Sequence, residues 1–196
     1  MIIQRFMEGP VQANNYLITD EESGESVLID CSDKIPEIDE SVNLKYILLT
    51  HGHFDHLLGV NHYDAPVLIH KKDVLQLKGT NAALLFYGLP TGETPRYTGF
   101  VKDGDEISIG KTKIKVIHTP GHTKGCVCYL IDDKLFSGDT LFFETVGRTD
   151  LPGGDFKTLE NSVKNILFQL DDNTVVYPGH GAETTIGHEK LHNEVL

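Results

Sequence analysis

The 196-residue sequence has no apolar run approaching the roughly 18 residues that a membrane-spanning helix needs. Its first residues, Met1 to Glu8, lack the apolar stretch of a secretory signal. Cysteine is scarce and odd in number, at Cys31, Cys126 and Cys128, which excludes a disulfide framework and fits a reducing compartment. A cytoplasmic protein is expected. Basic residues are few, 17 against 29 acidic ones, and a net charge of -12 leaves little for a basic patch. A phosphate-backbone partner or an anionic membrane surface is therefore disfavoured. Linkers, repeats and low-complexity stretches are also absent, so residues 1–196 are read as a single domain of ordinary globular composition.

Ile2 to Met7, Tyr16 to Thr19 and Ser26 to Ile29 are short apolar or β-branched segments between turn signals, and they predict an antiparallel meander. Apolar residues at Ile35, Ile38 and Val42 predict a short helix capped by Asp33. The continuous run from Tyr46 to Thr50 predicts a strand buried on both faces, and His56 to Tyr63 a helix. A strand over Val67 to Ile69 and a short helix over Asp73 to Leu77 follow. Residues 79–100 read either as a surface helix under a loop or as a lid over a substrate. Later come a hairpin over Asp105 to Ile109 and Lys113 to Ile117, then strands at Cys126 to Ile131, Lys134 to Phe136 and Thr174 to Tyr177. An amphipathic helix is predicted over Phe156 to Leu170, and Thr184 to Val195 closes the chain as a helix. Cys126 and Cys128 invite a metal or redox reading, but alternation along a strand makes two buried thiols the better one.

The densest chemistry lies in Thr50-His51-Gly52-His53-Phe54-Asp55-His56, four metal-ligand side chains within six residues. From this chain's own His and Asp frequencies, such a pattern arises by chance with probability on the order of 0.002. Imidazole with carboxylate suits zinc, iron or manganese. Three strand ends each add one candidate beside glycine: His122 after Pro120-Gly121, Asp139 after Ser137-Gly138, and His180 after Pro178-Gly179. Sheet architectures gather residues from strand ends along one edge, so five His and two Asp make two ligand shells if one carboxylate is shared. His62, His70, His188 and His192 read as structural or solvated, and His118 as a residue that could orient His122.

This set, in this order, resembles the metallo-β-lactamase superfamily. The resemblance implies an α/β fold, a four-layer αβ/βα sandwich of two mixed β-sheets flanked by helices. It implies that His51, His53 and His122 hold one divalent metal, that Asp55, His56 and His180 hold a second, and that Asp139 bridges them, with zinc expected first and iron or manganese as alternatives. The segments Ser137 to Phe142, Val146 to Asp155 and Thr184 to Lys190 are similar to the short glyoxalase II-like, hydroxyacylglutathione hydrolase-like group. That implies a metal-dependent hydrolase cleaving a hydroxyacyl thioester with a hydroxide held between the metals. Asp55 is the candidate catalytic carboxylate that orients the hydroxide, and Arg148 the candidate contact to a substrate carboxylate. The glutathione-binding helical domain of full-length glyoxalase II is not expected here, which leaves the thiol open. Gly147-Arg148-Thr149-Asp150 also resembles the persulfide dioxygenases, whose single iron would sit on His51, His122 and Asp139. A hydrolase of another ester or lactone on the same fold is a further alternative.

Overall fold

Apolar strands alternate with turn and helical segments throughout the computed structural model, which describes residues 1–196. Two compact units are formed, one by Met1–Val101 with Ser108–Thr112, the other by Lys102–Ile107 with Lys113–Leu196. No helix is long and apolar enough to cross a membrane.

The first unit is built on a six-stranded mixed sheet. β1 (Ile2–Glu8), β2 (Ala13–Thr19) and β3 (Glu25–Ile29) form the expected antiparallel meander. β4 (Asn43–Leu48), β5 (Val67–His70) and β6 (Gly99–Val101) then continue from β3 in parallel. Parallel strands need cover on both faces, which is why Ile47, Leu48 and Leu49 are fully buried. Leu28, Ile47, Val67 and Ile69 pack with Ile35, Leu57, Val60 and Leu77 into one core. Short helices α1 (Val74–Lys78) and α2 (Thr80–Phe86) follow β5, so residues 79–100 hold a helix, a loop and the unanticipated strand β6.

Two expectations fail here for identifiable reasons. Ile35 to Val42 is not a helix but a pair of turns, closed by Ile38 N–H to the Ile35 carbonyl and Val42 N–H to that of Asp39. Asp39 draws both the N–H and the hydroxyl of Ser41 onto its carboxylate, a local bond that competes with helix formation, while Ile35 and Ile38 are still buried. His56 to Tyr63 is likewise not one helix but two 3-10 turns, Phe54–His56 and Val60–His62. The backbone there is committed elsewhere: the His56 carbonyl accepts from Cys31 N–H, and Gly59 N–H donates to the Cys31 carbonyl. Gly59 is required by that approach, since a Cβ would lie 2.1 Å from the Asp33 carbonyl oxygen.

The second unit contains a sheet in the order β14-β13-β10-β9-β8-β7. Its strands are β7 (Glu106–Ile109), β8 (Thr112–His118), β9 (Val127–Ile131), β10 (Lys134–Gly138), β13 (Val175–Pro178) and β14 (Thr184–Thr185). It too is mixed, with β10 antiparallel to β9 and parallel to β13. A two-stranded hairpin, β11 (Leu141–Phe142) with β12 (Thr145–Val146), was not foreseen. α3 (Phe156–Asn165) is capped by Asp155, whose carboxylate accepts Thr158 N–H, and it buries Leu159 and Val163. The expected helix to Leu170 breaks at Ile166 into a 3-10 turn, Leu167–Gln169, and α4 spans Ile186–His192. Cys126 and Cys128 are buried free thiols, as the strand alternation implied.

Candidate metal-binding residues

In the first unit the chain leaves β4 at Leu48 and enters the motif at Thr50. His51 is fully buried, with Nδ1 3.0 Å from the Thr50 hydroxyl. That hydroxyl donates to Asp30 Oδ2 at 2.7 Å, so it is left to accept the His51 Nδ1–H. Gly52 N–H donates to Asp73 at 3.0 Å, and a Cβ at Gly52 would lie 2.6 Å from the Asp73 carbonyl oxygen, which explains the glycine between the two histidines. His51 and His53 rings meet edge to face at 4.8 Å between centroids, and those of His51 and His56 lie tilted at 4.3 Å. His56 is fully buried, with Nδ1 2.8 Å from Asp30 Oδ2 and Nε2 3.6 Å from Asp55 Oδ2.

Asp30 is therefore the hub of this half. Buried, at a left-handed φ of 58° that Asp tolerates, it accepts the Thr50 N–H and hydroxyl and faces the His56 ring. Sequence reasoning missed it. The available signal was a carboxylate directly after the apolar run Val27-Leu28-Ile29, where burial demands a partner.

In the second unit the three strand-end candidates come together. Asp139 follows β10 and His180 follows β13, and Gly179 N–H donates to the Gly138 carbonyl at 2.8 Å, locking the two strand ends side by side. Asp139 Oδ2 lies 3.5 Å from His122 Nε2 and 3.8 Å from His180 Nε2. His122 donates Nδ1–H to the Arg148 carbonyl oxygen at 2.7 Å. Gly147 makes this possible, because a Cβ there would lie 1.9 Å from the Asp139 carbonyl oxygen and 3.0 Å from His122 Nδ1.

Three of the five imidazoles thus have Nδ1 fixed by an acceptor, which sets Nε2 as the lone-pair nitrogen. This is the arrangement that metal-binding histidines use, and imidazoles beside a carboxylate, as each unit has, fit zinc, iron or manganese. Arg148 forks onto Asp150, Nε to Oδ1 and NH2 to Oδ2 at 2.7 Å each, and holds that carboxyl at about 2. The pair is more than half exposed. His118 Nε2 lies 3.1 Å from the Lys124 carbonyl oxygen, and its N–H donates to Asp103.

Residues 9–180 match the sequence profile described as Metallo-beta-lactamase superfamily. The chain belongs to the metallo-beta-lactamase superfamily, and its two mixed sheets are those of that fold. That superfamily is of the metallo-hydrolase type. Among relatives, an uncharacterized protein of Mycobacterium leprae is 36% identical over 100% of this chain and 99% of its own length. The hydroxyacylglutathione hydrolase GloC of Haemophilus influenzae is 33% identical over 94% and 93%. Among solved structures, the B3 metallo-beta-lactamase BLEG-1 matches with a TM-score of 0.88 at 33% identity, over 98% of each chain. TTHA1623 in a di-iron-bound form matches at 0.87 and 35%, over 98% of this chain and 100% of that one. ETHE1 from Myxococcus xanthus matches at 0.77 and 30%, over 99% and 84%.

Proposed function

We propose that residues 1–196 act as one catalytic domain that hydrolyses hydroxyacyl thioesters of a small-molecule thiol, using two divalent metals. His51, His53 and His122 would hold one metal and Asp55, His56 and His180 the other, with Asp139 serving both. The observation that carries the reading is the position of Asp139 Oδ2, 3.5 Å from His122 Nε2 and 3.8 Å from His180 Nε2, so that one carboxylate faces a ligand of each proposed metal. The likeness to GloC supports the thioester. Zinc is proposed; the di-iron form of TTHA1623 makes iron the alternative. The buried free cysteines favour a reducing compartment, the cytoplasm.

When bound, such ions lower the pKa of water toward neutrality and polarise a carbonyl. The chain's own groups do the rest. Asp55, beside His56 Nε2, orients the attacking water by accepting its proton in a hydrogen bond. Asp30 and the Arg148 carbonyl keep the His56 and His122 rings from turning. A thiolate leaves with little protonation, which is consistent with a site that dedicates no further acid to it. Arg148 turns from Asp150 to a carboxylate of the substrate, a bidentate exchange that its fork geometry allows.

ETHE1 is the specific reason to keep a second reading, a persulfide dioxygenase with one iron on His51, His122 and Asp139. Metal analysis of protein purified without added metal, together with a thioester panel, a chromogenic β-lactam and oxygen uptake on a persulfide, separates the readings. Thioester turnover with two metals per chain is expected, and Asp139→Ala should lose turnover and bound metal together. Oxygen uptake without thioester cleavage, or full activity in Asp139→Ala, overturns the proposal.

A further inference from the structure

The C-terminal helix carries His188-Glu189-Lys190-Leu191-His192, the spacing that places two imidazoles one turn apart on the same helix face and is used by zinc proteases with the Glu as general base. The structure removes the protease reading. Glu189 points the other way: it is 1% exposed and accepts the Thr184 hydroxyl at 2.6 Å, the Asn193 amide at 2.7 Å and the Glu144 N–H at 3.0 and 3.1 Å. A carboxylate with its oxygens engaged in this way is a structural anchor and is not available to take a proton from water.

The two histidines remain on the accessible side, and the same anchor brings a carboxylate to them. Glu144 sits at the tip of the β11–β12 hairpin at a left-handed φ of 57°, its N–H bound by Glu189. Its own side chain meets His188, with Oε1 2.9 Å from Nε2. The His192 ring lies 4.6 Å from that of His188, and Phe143 stacks on the other side of His188 at 5.1 Å, restricting its rotation.

We propose that His188, His192 and Glu144 form a second, surface site for a first-row divalent transition metal, independent of the seven residues assigned above. Two imidazoles and one carboxylate are a donor set for zinc, cobalt or nickel and a poor one for magnesium or calcium. Ligands each about 2.0–2.2 Å from a tetrahedral ion stand roughly 3.3–3.6 Å apart, so the exposed His192 ring must swing a nitrogen inward, and the 2.9 Å between Glu144 Oε1 and His188 Nε2 needs to open by a few tenths of an ångström. Both side chains are about one-third exposed, which permits it and leaves an ion an entry path. An ion held there ties α4 to the β11–β12 hairpin, the hairpin whose Phe142 ring lies 6.2 Å from His180.

The test is the number of zinc ions per chain after equilibration in a zinc buffer, for the full-length protein and for His188→Ala, His192→Ala and Glu144→Gln. Both histidine variants are expected to bind one ion fewer than the parent, and Glu144→Gln to lose that ion at a lower chelator concentration, with calcium and magnesium unable to displace it. The count is a difference between variants, so it holds whatever number of ions the seven-residue set takes, and failure of the thioesterase reading leaves it unchanged. Thermal melts provide a second reading: zinc should raise the Tm of the parent above that of zinc-treated His192→Ala. Equal zinc content in the parent and His192→Ala, or Glu144→Gln indistinguishable from the parent, overturns the site.

Discussion

Asp30 Oδ2 stands 2.8 Å from His56 Nδ1, and both groups are buried. The carboxylate therefore fixes which nitrogen of His56 carries the proton and which way the ring faces. Asp30→Asn keeps the shape but removes the charge, and metal affinity should fall about 10- to 100-fold, as for other changes behind a ligating imidazole. Competition with a chelating dye reads it directly. Asp30→Ala also strands the Thr50 N–H and hydroxyl and should cost about 1–3 kcal/mol of stability in denaturant unfolding.

Gly147 is set by space and not by a turn. The Cβ of Gly147→Ala would press on the Asp139 carbonyl oxygen and on His122 Nδ1, atoms of two of the proposed ligands. Overpacking of this kind costs about 1–3 kcal/mol. The expected result is a lower denaturation midpoint with weakened metal retention; a variant as stable and as metal-rich as the parent would show that the close approach is not needed.

Asp155 provides a pH-dependent contribution with a defined sign. The Thr158 hydroxyl and N–H bond its carboxylate and lower its pKa from 3.8. A depressed carboxyl stabilises the fold above the ordinary carboxylate range and loses that contribution as pH falls through the lowered value. Asp155→Ala should lower stability near neutrality through the lost cap, and the difference in stability from the parent should shrink in acid. Unfolding curves for both proteins between neutrality and acid pH give the comparison.

Cys128 is fully buried, bonded to the Thr119 hydroxyl and the Ser137 carbonyl, and burial pushes its thiol up to about 11. Burial also raises Cys31, ahead of the effect of Asp30 and Asp33. The thiolate is the reactive form, so neither residue should react with a thiol reagent at mildly alkaline pH until the chain is denatured, when all three cysteines should titrate. Rapid labelling of the native protein would contradict this.

His122, Asp139 and His180 could be picked out as candidates because each follows an apolar run and a glycine, as with Gly138 before Asp139 and Gly179 before His180, whereas His51 to His56 stood out by density alone. What escaped sequence reading depended on contacts between distant segments. Gly59 looks like a tolerable residue in a helix until the Cys31 to Asp33 backbone is seen against it. Asp30 is one acid among many until His56, 26 residues away, is found beside it. The β11–β12 hairpin is two residues a side, too short for any periodicity, and it was overlooked for that reason. The thiol partner and the metal identity have no local signature of this kind.

Arg148 divides its work between backbone and side chain: the carbonyl takes the His122 Nδ1–H, while the guanidinium engages Asp150. A carbonyl survives any amino-acid replacement. Substitutions at position 148 can therefore redirect which molecules are accepted while the imidazole keeps its orientation, so that selection, natural or in the laboratory, can explore new substrates here without first losing the metal chemistry.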